Sequence, residues 1–480
     1  MKEVGITTSL FFLDGTSYLS VSVALRKATA YLLLMKNIVA AALALLGIVV
    51  LASAWAFQAN LQNSVRWTCD IIHEAYYKKS PELDQWRKSC QEIAQDVSLG
   101  ASKADAIKLL NSELNQVGIS HLSIYSPEKS EEMWDNKAVD NGLRIRNVDG
   151  AYLIYAIVPE SAASEFEIKI GDEVTKINEE PIRSAYEARF RSGKFDIRRL
   201  KEGVAGRNEA AGPAESKTSA ASLTASGTVN EGSNSNYEEL EVVLLARELV
   251  EDLSPTYVEL SPTVGLLKIQ SFLPQYFEKY SWMKRVVLFS SIPNLIIDLR
   301  ENAGGNFVAM LRALSPFMCK ATSVGIISAK IEAGKNASEV KSSLPDDLES
   351  RIQIDEIESE SSLSLKTFDG YGCTNAHVTV LVDVDTASTG EIFAYAMSGR
   401  PGSRVWGVPT AGEVVVARWF DLSQLGFGGY SLSVPIAGFT TTDGLELEAE
   451  GITPARLLFY DLSQSRRGED SWISASMSQH

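Results

Sequence analysis

Hydrophobic positions change period several times along the chain, and each change marks a different kind of element. Residues 38–57, IVAAALALLGIVVLASAWAF, contain no charged side chain. About 20 apolar residues is the length that crosses a bilayer core. Segment 62–118 then takes helical spacing. In 102–117 the positions Ile107, Leu110, Leu114 and Val117 share one helix face, with Ser102 as N-cap, Asp105 in the capping-box position and Gly118 as the stop. GISHLSIYSP follows as a short strand through Ile119, Leu122 and Ile124. Over 139–197 the pattern shortens to strands: GLRIRNV, AYLIYAIVP and DEVTKIN, then a helix over IRSAYEARF. EELEVVLLAREL (238–249) is expected to complete that β-rich module as one strand. Between them, 201–237 has almost no bulky apolar residue and reads as a disordered insertion, because it buries too little surface to offset its ordering entropy.

From 263 to 460 strands and helices alternate. VGLLKIQSF, NLIIDLR and HVTVLVDVD read as strands, and NFVAMLRALSPFM and TGEIFAYAMSG as helices. RVWGVPT, EVVVARWF and YSLSVPIAGF add further strands. Such repeats imply a mixed sheet covered by helices, an α/β fold. The polar stretch 333–366 reads as a solvated excursion, and 466–480 as a tail.

Composition narrows the class. Of 480 residues, 45 are Lys or Arg and 61 are Asp or Glu, a net charge of −16. An acidic surface repels phosphate backbones, so nucleic acid is not an expected partner. Residues 1–36 hold four bases against two acids, the one basic bias, and it precedes the apolar run. Two readings of that run stay open: a cleaved leader with an A-x-A site at 52–54 or 54–56, or a retained membrane anchor. Met35 opens MKNIVAAALALL, which has the form of a complete leader, so 1–34 reads as an over-extended start. Either way the bulk of the chain is expected to be exported, in the periplasm or cell envelope. Cys69, Cys90, Cys319 and Cys373 allow three disulfide pairings, of which Cys69–Cys90 joins neighbouring helical segments. No pair has metal-site spacing, so no metal or other cofactor is expected.

Four pieces could carry chemistry. Among four histidines, His121 follows Ser120 directly after a helix stop, His377 opens a strand, His73 sits in a helix and His480 is terminal. Imidazole is the first candidate for a neutral-pH base. In DTASTGEIFAYAM a strand ends in a tight turn and a helix begins at Thr389, so Ser388 sits at the positive helix end. It is either a plain N-cap or a nucleophile next to the Thr389 N–H. DLRENAGG (298–305) runs a strand into Gly304 and Gly305, which permit close backbone approach and a second N–H donor. Finally Glu446, Glu448 and Glu450 alternate, and in a regular strand all three would point one way.

These pieces occur in the order of a known family. The chain resembles the C-terminal processing (tail-specific) peptidases, and within them the tricorn core-protease-like branch, over about residues 100–460. DLRENAGG matches the family's DLRxNxGG turn, TASTGEIFA its nucleophile turn, GISH its Ser-His segment and LEAEGITP its E-x-x-G-V-x-P segment. The resemblance implies Ser388 as nucleophile, His121 as base, Glu448 as the carboxylate holding the imidazole, and an oxyanion hole from Thr389 with Gly304 or Gly305. Glu450 and Glu413 are reserve carboxylates. It implies an α/β fold with a ClpP/crotonase-like mixed-sheet protease domain over 256–465 and an inserted PDZ-like β-rich domain at 137–255. A helical region at 58–136 carries the base, and 1–57 is the leader or anchor. The expected activity is endopeptidase cleavage of exported peptide or protein substrates. The PDZ-like module would pair a peptide on its 151–158 strand and capture a terminal carboxylate. A homodimer is compatible with the sequence. One departure stands out: Glu413 occupies the place of the lysine in the Ser–Lys dyad of the better-known bacterial members. Either the imidazole replaces that lysine or the chain is an inactive peptide-binding scaffold. A ligand carrier, like the retinoid-binding members of the fold group, is a third reading.

Overall fold

The computed structural model describes residues 15–79, 81–98, 100–201, 236–329, 331–332, 342–349, 352–360 and 362–479. The expected insertion therefore lies almost wholly outside the described residues. The chain divides into two compact units, residues 1–70 with 87–110 and residues 71–86 with 111–480.

In the first unit the helix Gly15–Ala75 contributes its residues up to Asp70. Within that helix, Leu34–Ala75 has a window of mean hydropathy 2.5 that is not buried, so it is long and apolar enough to span a membrane. The Cys69–Cys90 disulfide forms, and Asp70 accepts hydrogen bonds from Arg87 and Gln91, both at 2.7 Å.

The second unit is built on a six-stranded sheet in the order Thr256–Ser261, Val264–Lys268, Asn294–Asp298, His377–Val382, Ser403–Gly407, Arg456–Leu457. All pairs after the first are parallel. Parallel strands covered on both faces read as near-continuous apolar runs, as LIID and VTVLV do apart from Asp298 and Thr379. Helices Phe307–Met318 and Thr389–Ser398 bury Met310, Leu314, Phe393 and Met397 in the same core as Leu295, Ile297, Val378 and Val380. A second sheet runs Ser342–Ser343, Ser362–Lys366, Ser323–Ala329, Ser431–Thr441, Ser123–Tyr125, with Val415–Asp421 also on Ser431–Thr441. The supposed excursion 333–366 thus supplies two strands of that sheet, Ser342–Ser343 and Ser362–Lys366, and a helix Gln353–Ser359 whose Ile357 is buried. Cys319 and Cys373 form the second disulfide.

The β-rich module is a sheet in the order Leu143–Val148, Ala151–Ile157, Glu173–Ile177, Gly193–Leu200, Tyr237–Leu244. Leu143, Ile154, Phe195 and Ile197 fill its core. Two expectations change here. The strand at 151–157 is paired on both sides, and among the described residues the edges of the sheet are Leu143–Val148 and Tyr237–Leu244. The expected single strand over 238–249 is two, because Arg247–Val250 leaves the module to pair with Lys137–Asp140. The tail is also ordered: Ser471–Met477 is a helix, and Trp472 stacks on Tyr460 at 4.7 Å.

Candidate active site

Strands 294–298 and 377–382 are parallel neighbours, with Asp298 opposite Leu381. Their carboxyl ends therefore open side by side, where open α/β sheets place their sites. The first continues into DLRENAGG, and the structure gives most of that motif a task. Asp298 and Arg300 form a buried two-pronged ion pair at 2.6–2.7 Å. Arg300 also donates to Asp470 at 2.8 Å and to the Tyr460 hydroxyl at 3.0 Å. Burial opposes the charge on both partners, yet the Arg300 guanidinium holds the Asp298 carboxyl below its ordinary range. Asn302 donates to the Ile269 carbonyl and accepts the Gly304 N–H, both at 2.8 Å, and its own carbonyl accepts the Ala387 N–H at 2.9 Å. That last bond ties the glycine turn to the nucleophile turn. A Cβ on Gly304 would lie 2.7 Å from the Ser388 Cβ and 3.0 Å from the Thr389 nitrogen, so only glycine permits this approach.

Ser388 sits at φ 55°, ψ −124°, a sparsely populated conformation for a residue with a side chain. It persists because the surroundings over-determine it. The Ser388 N–H is shared between the Glu413 carbonyl at 3.0 Å and Glu391 Oε2 at 3.1 Å. Glu391 is buried and takes four donors in all: Ser388 N–H, Thr410 Oγ1 at 2.5 Å, and the Gly412 and Glu413 N–H groups at 2.9 Å. Burial raises its pKa despite those donors. In the sequence the one signal for Glu391 is the capping-box spacing of S-T-G-E, which by itself does not mark it as part of the site.

His121 lies in the left-handed region at φ 59°, directly after the helix Lys103–Gln116 and its Gly118 stop. Its Nδ1 is 3.0 Å from Ser120 Oγ, and Ser120 Oγ is 3.0 Å from Glu448 Oε2. Glu448 also accepts the Ser120 N–H at 3.0 Å and the Val414 N–H at 2.8 Å. Glu448 thus reaches the imidazole through the Ser120 hydroxyl and not directly. A carboxylate only accepts, so the hydroxyl donates to Glu448 and its oxygen is left to accept from Nδ1–H. That fixes the tautomer and leaves the Nε2 lone pair free. Burial depresses the imidazole pKa, and the nearby Glu413 and Glu448 charges oppose that depression.

The remaining candidates separate. Glu446, Glu448 and Glu450 do not lie along a regular strand: 448–450 is a turn, with Ala449 at φ 67°, so Glu450 is turned out of the alternation. Glu446 pairs with Lys78 at 3.0 Å, while Glu450 is exposed. Glu413 contributes its backbone to the Ser388 turn and its charge to His121. The Gly304 N–H is committed to Asn302, whereas the Thr389 and Gly305 N–H groups have no partner among the described residues. His121 and Ser388 are not joined by a hydrogen bond in this structure. His73 pairs with Asp84 at 2.7 Å, and His377 opens its strand exposed to solvent. Among the described residues no cluster could hold a metal ion.

Residues 263–456 match the model of peptidase family S41. Carboxyl-terminal-processing peptidase 2, chloroplastic, of Arabidopsis thaliana is 24% identical over 194 residues, 40% of this chain and 32% of that protein. The match thus spans about a third of that relative's length. Two structures of mature CPAF share the fold. The one complexed with lactacystin has a TM-score of 0.55 at 13% identity, over 88% of this chain and 97% of that chain. The other has a TM-score of 0.51 at 12% identity, over 88% and 96%.

Proposed function

We propose, on the premise that residues 263–456 form a peptidase family S41 domain, that this chain is a serine-type endopeptidase. Ser388 is its nucleophile and His121 its base. The observation that carries the reading is the chain of bonds from Glu448 through Ser120 to His121 Nδ1, which leaves Nε2 as a base beside the strained Ser388 turn. His121 Nε2 takes the Ser388 hydroxyl proton as Oγ attacks the peptide carbonyl. The Thr389 and Gly305 N–H groups hold the resulting oxyanion. The imidazolium, stabilised by the Glu448 and Glu413 charges, then protonates the departing amine. Water repeats the sequence to release the acyl half. The Ser388–His121 contact closes on the bound substrate, as catalytic hydrogen bonds often tighten only in the complex. The imidazole thereby replaces the lysine of a Ser–Lys dyad.

The β-rich module acts as a PDZ-like peptide-binding element, supported by its edge strand Leu143–Val148, which borders a cleft as the other edge, Tyr237–Leu244, does not. The apolar Leu34–Ala75 segment supports export to the periplasm or cell envelope, as leader or anchor. A fluorophosphonate probe tests the enzyme reading: it should label the wild-type chain and not Ser388→Ala. Folded wild-type chain that stays unlabelled would favour the inactive scaffold.

A further inference from the structure

A peptide that adds antiparallel to the Leu143–Val148 edge brings its C-terminus to the start of that strand, and a terminal carboxylate is held there by successive backbone N–H groups. In this chain those groups are already used. The Gly142 N–H donates to Asp140 Oδ1 at 2.6 Å and the Leu143 N–H to Asn141 Oδ1 at 2.9 Å. Both side chains are buried and locked. Asp140 takes the Arg189 Nε at 2.6 Å and Arg144 at 3.2 Å, and Arg144 is itself paired with Glu251. Asn141 donates to the Ala188 carbonyl at 2.7 Å and the Arg191 carbonyl at 3.1 Å. An internal carboxylate therefore stands where a substrate's terminal carboxylate would have to enter.

The edge strand nevertheless borders a cleft of about 840 Å³. Its lining carries Arg144, Arg146 and Arg189 against six acids, so the balance is negative. The arginines are engaged. Arg146 lies between the Tyr155 and Tyr460 rings, at 4.2 and 3.9 Å, and 3.5 Å from Glu301. Asp383 and Asp385 stand beside Glu301 at the foot of the nucleophile turn. Burial, then the mutual charge with Glu301 and Asp385, raises Asp383 to about 6, as burial and Glu301 also raise Asp385. Arg146 does not neutralise them fully. Val384 and Phe459 add exposed apolar surface to the same wall.

We infer that the module takes an internal, extended and basic segment of its substrate on the Leu143–Val148 edge, and does not read a free C-terminus. This rests on the peptide-binding role proposed above. Strand pairing supplies sequence-independent affinity, and a Lys or Arg of the segment faces Glu301, Asp383 and Asp385.

Fluorescence anisotropy of labelled peptides on the full-length Ser388→Ala chain in detergent micelles tests it. One Lys- and Leu-containing peptide is used as free acid, as C-terminal amide, and with its lysines replaced by glutamate. Amidation should leave Kd within about twofold, and the glutamate version should bind at least about tenfold more weakly. Asp385→Lys in the same chain should weaken the lysine peptide about tenfold. The inference is overturned if the free acid binds about tenfold tighter than the amide, if the acidic peptide binds equally, if Asp385→Lys has no effect, or if no peptide binds. Probe labelling of the wild-type chain judges the hydrolase reading separately. A labelled enzyme that ignores the peptides would sink only the present inference.

Discussion

Glu391→Gln changes one atom in a side chain that never meets substrate, and it should still disable the nucleophile. Each Glu391 oxygen serves two donors: Oε1 takes Thr410 and Gly412, and Oε2 takes Ser388 and Glu413. Glutamine replaces one oxygen by an NH2 group. Facing Oε2's partners, it orphans the Glu413 N–H, although Ser388 keeps its bond to the Glu413 carbonyl. Facing Oε1's partners, it orphans the Gly412 N–H, although Thr410 Oγ1 can accept from it. Every orientation thus leaves one buried N–H unpaired, at about 1–3 kcal/mol, and removes a charge-assisted bond of similar size. We expect a loss of about 2–4 kcal/mol in denaturant unfolding. The positive-φ turn at Ser388 then has less holding it, so fluorophosphonate labelling should slow at least about tenfold. Labelling within twofold of wild type, with an unmoved unfolding midpoint, would refute the account of this carboxylate.

Three further outcomes follow from the same geometry. Ser120→Ala breaks the link from Glu448 to Nδ1 and should lower kcat/KM about 10–100-fold through kcat, with recovery in Ser120→Thr; a change confined to KM would contradict the relay. Glu413→Gln removes a charge that opposes the burial-driven depression of the His121 pKa, so the acid limb of the kcat/KM profile should move to lower pH, and a move upward would contradict it. Gly304→Ala places a Cβ 2.7 Å from the Ser388 Cβ at a backbone φ of +95°, and probe labelling should fall at least about 100-fold; near-normal labelling would show that the two turns do not meet as described.

The parallel strands and their two turns were readable because their signals are local: near-continuous apolar runs leading into glycine or small residues. Cys69–Cys90 stood out among three possible pairings because both cysteines belong to adjacent helical segments, but local spacing left the choice between them open. The alternation of Glu446, Glu448 and Glu450 misled because period-two reasoning assumes a regular strand, and nothing local announces a left-handed alanine at 449. The edge of the β-rich module escaped because pairing order is a tertiary property: 143–148 and 151–157 both look like strands, and only assembly decides which has a neighbour on each side. Ser120 stood next to the proposed base in the sequence, but its place between imidazole and carboxylate depends on a residue more than 300 positions away.

The carbonyl of Glu413 and the N–H of Val414 belong to one planar amide. That single unit grips the Ser388 turn with its oxygen and Glu448 with its nitrogen. A crankshaft flip of this plane would release both grips together, so hydroxyl and acid would be misplaced in concert and not by degrees. Because the grip is made by main-chain atoms, the side chain at 413 is released from scaffolding, and a lysine could be traded for a glutamate there without dismantling the frame.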